Sequence, residues 1–436
     1  MLINSLGLKN FKCFEELDVK FAPITLLTGA NSSGKSSLIN AILAVLQTEG
    51  FPFYLSPNGK YVNMGSFEEM ARWTTNSKKL DIEINIALND SGTESGYSFF
   101  QTTWREDTKN NLPKLIEFKS AQLGCTWHVK KKKDSSYSFS CVIKDFFSSL
   151  QDDHSGDFIK REFENVKITP SEDYLLTNNI SITNSKFESL EQLVEKIKTY
   201  LFEPSFRESG IKPSINYLGS FRLPPERTYY QKPKAADRVN VAGDGYIDQI
   251  IEWDETQPDT IKQLIDFMRE LELVDSISAN RMRGGRFELR IKTKNNSKDA
   301  SLADIGFGVS QFLPIIVADL QLSDESLLAV SQPELHLHPK IQAAFANYLA
   351  KQINTTNKQY IIETHSEYLL NRIRLLLVTG ELKPEDVCVL YFENDGMKST
   401  NHNIEFATNG SVKGAPESFF DTYGIDVMNI AMEAIK

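Results

Sequence analysis

Residues Gly29-Ala30-Asn31-Ser32-Ser33-Gly34-Lys35-Ser36 read G-x-x-x-x-G-K-S, and the sequence on either side limits what they can be. Before them, Ile24-Thr25-Leu26-Leu27-Thr28 has the apolar, β-branched composition of a buried strand. After them, Leu38, Ile39, Ile42, Leu43 and Leu46 recur at helical spacing. Strand, glycine loop and helix in that order turn the pattern from an ordinary Gly/Ser-rich turn into a phosphate-binding loop. The glycines let successive N–H groups curl around phosphate oxygens, and the helix N-terminus adds free donors and the positive end of its dipole. In this chemistry Lys35 reaches the β- and γ-phosphates and the Ser36 hydroxyl ligates Mg²⁺. The loop predicts a nucleoside triphosphate as ligand.

The rest of the chain sets the class around that loop. With 436 residues, 41% hydrophobic and 24% charged, the chain can bury a large core and reads as an ordinary globular protein. No apolar run approaches the ~20 residues of a membrane span, so no membrane partner is expected. Met1–Ser5 lacks a basic n-region, which predicts a cytoplasmic location. Cys13, Cys125, Cys141 and Cys388 are scattered without a C-x-x-C pair and read as reduced thiols. A net charge of −10 opposes wholesale coating of nucleic acid but leaves room for local basic patches. Lys130–Lys133 is one such patch, either a solvated hairpin end or a DNA contact. Arg281, Arg283 and Arg286 around Gly284-Gly285 are another.

Pattern along the chain predicts an α/β fold in which a mixed sheet is flanked by helices and carries a β-rich insertion. Ile3 to Phe21 reads as two short strands, and Leu80 to Ala87 alternates strictly as a half-buried strand. Tyr97 to Lys144 is aromatic and β-branched, suggesting antiparallel strands, and Leu190 to Leu201 has the spacing of an amphipathic helix. A helical stretch is expected over Gly245–Leu273, broken near Pro258. The implied division is 1–95 (N-terminal part of the nucleotide domain), 96–215 (β-rich and helical insertion), 216–300 (joining segment) and 301–436 (C-terminal part of the nucleotide domain).

Three further segments follow in order. Ile305-Gly306-Phe307-Gly308-Val309-Ser310-Gln311 is a glycine turn opening an apolar helix. Leu327 to Val330 is an apolar strand running into Ser331-Gln332-Pro333-Glu334, then His336 and His338. Tyr360-Ile361-Ile362-Glu363-Thr364-His365-Ser366 puts a histidine at a strand end, where ligand groups collect in parallel sheets. His336 and His338 with Glu334 also permit a metal reading beside a structural or interface one. Asn357-Lys358-Gln359-Tyr360 lacks the aspartate of a guanine-specificity element, and no LSGGQ of a transporter ATPase is present.

Together, LKNFKCFEELDVKFAPITLLTGANSSGKSSLINAI, IGFGVSQFLPII, SQPELHLHPKIQ and IIETHSEYLLNRIR resemble the ABC-type P-loop ATPases of the SMC, RecF and overcoming-lysogenisation-defect (OLD) group. NGKYVNMGSFEEM, YLGSFRLPPERTYY and PESFFD are similar to the stand-alone bacterial ATPases of the Septu anti-phage system. The resemblance implies ATP and Mg²⁺ as cofactors and an ABC-type fold. It makes Gly29–Ser37 the Walker A loop, with Asn31, Ser32, Ser33, Gly34, Lys35, Ser36 and Ser37 around the nucleotide. Lys12 becomes a basic residue near the phosphates and Gln47 a Q-loop residue near Mg²⁺. Gly308, Ser310 and Gln311 become a signature segment reaching a partner's γ-phosphate, and His365 the switch histidine. Such roles imply a homodimer or higher even oligomer with shared ATP sites. The resemblance to the Septu ATPases also implies a separate HNH endonuclease partner and allows DNA as a further contact. After Tyr391 no D-x-D of a Toprim nuclease appears.

One departure from the family stands out. Where its strand ends in Asp-Glu, this chain has Ser331 and Gln332. A serine hydroxyl can hold a metal-bound water without a carboxylate's charge, and Gln332 can orient water but cannot accept its proton. Glu334 could act in place of the missing base, although Pro333 interrupts strand geometry. The expectation is a slow ATPase acting as a nucleotide-controlled switch in anti-phage defence. The alternatives are a RecF-type repair and recombination ATPase and a non-hydrolysing ATP-sensing scaffold.

Overall fold

The computed structural model describes residues 2–48, 50–73, 80–89, 97–122, 125–132, 137–144, 158–168, 180–181, 214–230, 232, 235, 238–294, 296–416, 419 and 432. The helix expected over Leu190–Leu201, most of PESFFD and Lys133 lie outside the described residues. The chain forms two compact units, one of Met1–Lys20, Ser37–Pro213 and Asp395–Ser399, the other of Phe21–Ser36, Ser214–Asn394 and Thr400–Lys436.

The second unit is built on a seven-stranded sheet. Its strands are β1 (Ile24–Gly29), β2 (Ile215–Leu218), β3 (Leu327–Ser331), β4 (Gln359–Glu363), β5 (Val387–Asn394), β6 (Ser399–Phe406) and β7 (Val412–Lys413), in the spatial order β2-β3-β4-β1-β5-β6-β7. The pairings from β2 through β5 are parallel, and β6 pairs antiparallel with β7, so the sheet is mixed. Every residue of β1, β3 and β4 is buried, as expected of parallel strands covered on both faces. Register fixes the site: Ser331 lies beside Glu363, and Glu363 beside Leu27, so the carboxyl ends of three strands share one edge.

The helices are α1 (Lys35–Gln47), α2 (Tyr246–Thr256), α3 (Pro258–Glu270), α4 (Phe307–Leu320), α5 (Pro339–Thr355) and α6 (Glu367–Thr379). Sequence signals set their ends. Pro258 opens α3 at its first turn, the Ser366 hydroxyl caps α6, and Gly380 closes α6 in the left-handed conformation at φ 78°. Phe312, Ile316, Phe345, Leu349, Ile373 and Leu377 fill the core of this unit.

Asp319 of α4 is fully buried and ties three elements together. It accepts from Lys358 Nζ at 3.3 Å and Tyr360 Oη at 3.0 Å, and also from Tyr348 Oη of α5. Lys358, in the fragment that mimicked a guanine-binding element, is thus spent on the core. A small third sheet carries the hairpin of Ser276–Met282 and Arg286–Lys292, turned by Gly284 and Gly285 at positive φ; Arg281 pairs there with Glu255.

The first unit is a nine-stranded antiparallel sheet that starts from Phe14–Lys20, Ile3–Phe11 and Ile82–Asn89 and continues through Tyr97–Asp107. The aromatic stretch therefore extends an existing sheet, and Phe51 and Phe53 pack edge-on against its Phe100 and Phe118. Among the described residues no helix is long and apolar enough to cross a membrane.

Lys358→Met should cost about 3–5 kcal/mol, because it leaves the Asp319 charge buried without its cation. Adding Asp319→Asn should recover part of that loss. Urea unfolding of both variants checks it, and an unchanged midpoint for Lys358→Met would contradict it.

Candidate functional site

The loop after β1 has the backbone that its glycines predict. Gly29 sits at φ +128°, and a Cβ there would lie 2.1 Å from the carbonyl oxygen of Phe392 in β5, so this close approach requires glycine. Gly34 is at φ +108° and Ser32 at φ +58°, which curls the intervening N–H groups into a cradle. Ser33, Gly34 and Lys35 are buried, while Asn31, Ser32 and Ser36 face solvent. Lys35 Nζ donates to the carbonyls of Gly29 at 3.0 Å and Ala30 at 2.6 Å, folding back over the loop. Burial lowers its pKa, and Glu363 opposes that shift. Ser33 Oγ is buried with no hydrogen-bond partner. A cradle of N–H groups, a buried ammonium and an orphaned hydroxyl suit an anionic triphosphate.

One carboxylate meets this loop. Ser36 Oγ donates to Glu363 at 2.9 Å (Oε1) and 3.2 Å (Oε2), and Ser331 Oγ donates to Glu363 Oε2 at 2.9 Å. Glu363 is only 6% exposed. Tyr217 Oη stands 3.4 Å from Ser331 Oγ, and its pKa is raised mainly by burial. Ser36, Ser331 and Glu363 fit the oxygen donors that Mg²⁺ prefers. In the sequence Glu363 is only one residue of the strand end that carries His365. Its contact with Ser36 is fixed by strand register, which composition does not reveal.

The segment after β3 is held tightly. β3 ends at Ser331, and Gln332 takes φ +49°, so strand alternation does not carry Glu334 onto the face of Gln332. Gln332 N–H donates to the Glu363 carbonyl at 2.7 Å. Arg222 Nη2 donates to the carbonyls of Ser331 at 2.8 Å and Gln332 at 3.0 Å, and Nη1 to that of Gln311 at 3.3 Å. Burial brings the Arg222 pKa down to about 10. The Glu334 carboxylate accepts from His365 N–H at 2.7 Å and Thr364 Oγ1 at 2.9 Å. Glu334 therefore braces the turn after β4. His365 reaches solvent at that turn with its ring only partly covered, and that partial desolvation, followed by the nearby Lys35, lowers its pKa.

Other expected residues are placed differently. Helix α4 starts at Phe307, so Ser310 and Gln311, expected in a signature segment, fall on its inner side. Ser310 Oγ donates to the Phe307 carbonyl, and Gln311 Nε2 to that of Arg222. Exposure in this segment belongs to Gly306 and Phe307, and Gly308 packs where a Cβ would lie 3.1 Å from the His336 carbonyl. In the first unit, Gln47 is committed to its own loop: Nε2 donates to the Ser56 and Val62 carbonyls, and Oε1 accepts from Tyr61 and Val62. That occupies the amide expected near Mg²⁺. Also in that unit, Lys12 turns its hairpin at φ 50°, its pKa lowered by burial against the opposing field of Glu69, and Ser37 accepts a long contact from Cys13 Sγ. Lys130 is exposed, and the pKa of Lys131 is lowered by burial, Lys114 and Arg105. His338 caps α5, and the His336 ring lies tilted beside that of Phe307. Among the described residues no group of three or more metal-ligating side chains is assembled, which removes the support for a His336–His338 metal site.

Because burial and Lys35 both favour the neutral ring, His365 should titrate below its ordinary 6.5 and be uncharged at pH 7. Lys35→Met removes one of these causes and should move the midpoint upward. Imidazole NMR across pH 5–8 reads both; a parent midpoint at or above 6.5 would contradict the geometry.

A family model described as AAA ATPase domain matches residues 1–370. A curated relative, the OLD nuclease of Thermus scotoductus (strain ATCC 700910 / SA-01), is 21% identical over 416 residues. That alignment covers 92% of this chain, and the chain spans 66% of the relative's length. Among solved structures, an SMC head domain from Thermotoga maritima matches at 13% identity and TM-score 0.41, covering 93% of this chain and 100% of that one. An SmcHead bound to the C-winged helix domain of ScpA matches at 12% identity and TM-score 0.44, covering 93% and 98%.

Proposed function

The chain belongs to the AAA ATPase domain family, and from that premise we propose that it binds ATP with Mg²⁺, hydrolyses it slowly and acts as a nucleotide-controlled switch. The observation that carries this reading is an imbalance within one site. The loop that grips the triphosphate is complete, while the two residues ending β3 and following it are Ser331 and Gln332.

In this reading the N–H groups of the loop and Lys35 hold the phosphates, with Ser36 toward the cation. Asn31, Ser32, Ser33, Gly34 and Ser37 shape the cradle. Mg²⁺ supplies charge neutralisation at the phosphates. Gln332 orients the attacking water without taking its proton, and His365 offers a neutral ring at the turn after β4. Absence of a general base costs ~10²–10⁴ in rate. The first turn of α4, with Gly306 and Phe307 exposed, is the surface offered to the nucleotide of a second copy. An even oligomer with shared sites follows, and long-lived ATP would hold it together.

The output we propose is control of a separate nuclease of the HNH class in a Septu-like defence complex, with DNA as a further contact, in the cytoplasm. The name of the relative, OLD nuclease, supports a link between such an ATPase and nucleic-acid cleavage. The rival is a scaffold that binds ATP and never turns it over.

Light scattering and phosphate release on one sample test the proposal. Mg²⁺ and ATP should double the mass of the parent, and turnover should stay at or below ~0.1 s⁻¹, two decades under a median enzyme. Lys35→Ala should abolish both nucleotide retention and the mass change. Ordinary turnover that Lys35→Ala removes would contradict the slow switch, and complete absence of phosphate release would favour the scaffold.

A further inference from the structure

We propose that Glu363 is the carboxylate that anchors the divalent cation of the bound nucleotide, so that this charge comes from β4 and not from the end of β3. The inference rests on the ATP-binding reading above and assigns its cation site to a residue.

Three observations converge on it. First, the hydroxyl that a phosphate loop offers to Mg²⁺ is that of Ser36, and the carboxylate bonded to it is Glu363, with its two oxygens at 2.9 and 3.2 Å. A hydroxyl that coordinates a cation through its lone pair still has its proton to give, so the Ser36–Glu363 bond and coordination by both groups are compatible. Second, Ser331 replaces a charge with a donor. Its hydroxyl gives a hydrogen bond to Glu363 Oε2 at 2.9 Å, which orients the carboxylate toward the loop. Third, Ser331 and Glu363 are register partners on adjacent parallel strands. Two carboxylates at these neighbouring positions would repel each other. Serine at one and glutamate at the other keeps one negative charge at the cation while moving it one strand across.

A hard divalent ion takes oxygen donors, and Mg²⁺ in nucleotide sites is held by one or two carboxylates with phosphates and water. Glu363 supplies the first. Its burial would be costly for a lone anion, and the two hydroxyl donors with nearby Lys35 lower that cost before the cation arrives. Glu334 is not an equivalent candidate, since its oxygens accept from Thr364 and His365 at the next turn.

The test separates cation binding from turnover. ATP affinity is measured by calorimetry on the full chain, in EDTA and across a Mg²⁺ series, for the parent, Glu363→Gln, and Glu363→Gln combined with Ser331→Asp. In Glu363→Gln the Mg²⁺ concentration giving half of the affinity gain should rise at least tenfold. Affinity in EDTA should be unchanged or tighter, because a negative charge has left the phosphate site. Ser331→Asp in that background should return the Mg²⁺ requirement to within about threefold of the parent, since a carboxylate is restored one strand away. Mn²⁺ bound in the presence of ATP, followed by electron paramagnetic resonance, should weaken and recover in parallel.

An unchanged Mg²⁺ requirement in Glu363→Gln would overturn the assignment. So would equal weakening with and without Mg²⁺, which would make Glu363 a prop for the loop. If Glu363→Gln does not fold, Glu363→Asp puts the same question: it keeps the charge but withdraws it by one methylene, and an unchanged Mg²⁺ requirement there would overturn the assignment as well. A parent that binds no ATP at all would instead defeat the ATP-binding reading itself.

Discussion

Parallel pairing of β3, β4 and β1 in one fixed register is the constraint on which the rest of the site depends. It sets Ser331 against Glu363 and brings both to the edge where the phosphate loop leaves β1. The Ser36 hydroxyl, first turn of α1, then closes the triangle with one O–H shared between the two oxygens of the Glu363 carboxylate. A slip of one residue in any of these strands would exchange the residues packed against the two covering layers and take the carboxylate away from the loop. The Asp319 network guards against such a slip by fixing α4, α5 and the start of β4 to one buried charge.

A second layer holds the turns in place. Arg222 directs its guanidinium to three backbone carbonyls, at Gln311, Ser331 and Gln332, and so links α4 to the end of β3. Glu334 clasps Thr364 and His365. Positive φ at Gln332, which an unsupported glutamine would avoid, persists because both neighbours of that peptide are tied. The two turns that face the phosphate loop thus carry their own braces.

Much of this was legible in the sequence. The strand, loop and helix around Gly29–Ser36 follow from glycine spacing and flanking periodicity, and the buried strands 327–331 and 359–363 from short apolar runs. The alternation in Leu80–Ala87 appears as the strand Ile82–Asn89. What the sequence could not carry were pairings between distant segments. Ser36 and Glu363 are 327 residues apart, so no local pattern marks Glu363 as part of the phosphate site. Likewise Ser310 and Gln311 look like exposed turn residues until the helix is seen to begin at Phe307, which turns both inward. The family resemblance makes Gln47, the last residue of α1, a residue near the cation, yet the loop of residues 56–62 uses its amide as an organising centre.

As proposed, the site would hold a nucleotide longer than it spends it: the cradle is complete, Glu363 would anchor the cation, and positions 331 and 332 carry no carboxylate to take the proton from water. The most direct test is a single-turnover chase. Protein loaded with γ-labelled ATP and Mg²⁺ is diluted into unlabelled nucleotide, quenched over time, and its bound label separated into ATP and phosphate. The account predicts that intact ATP remains the dominant bound species for minutes. Conversion to ADP within a second of loading would contradict it.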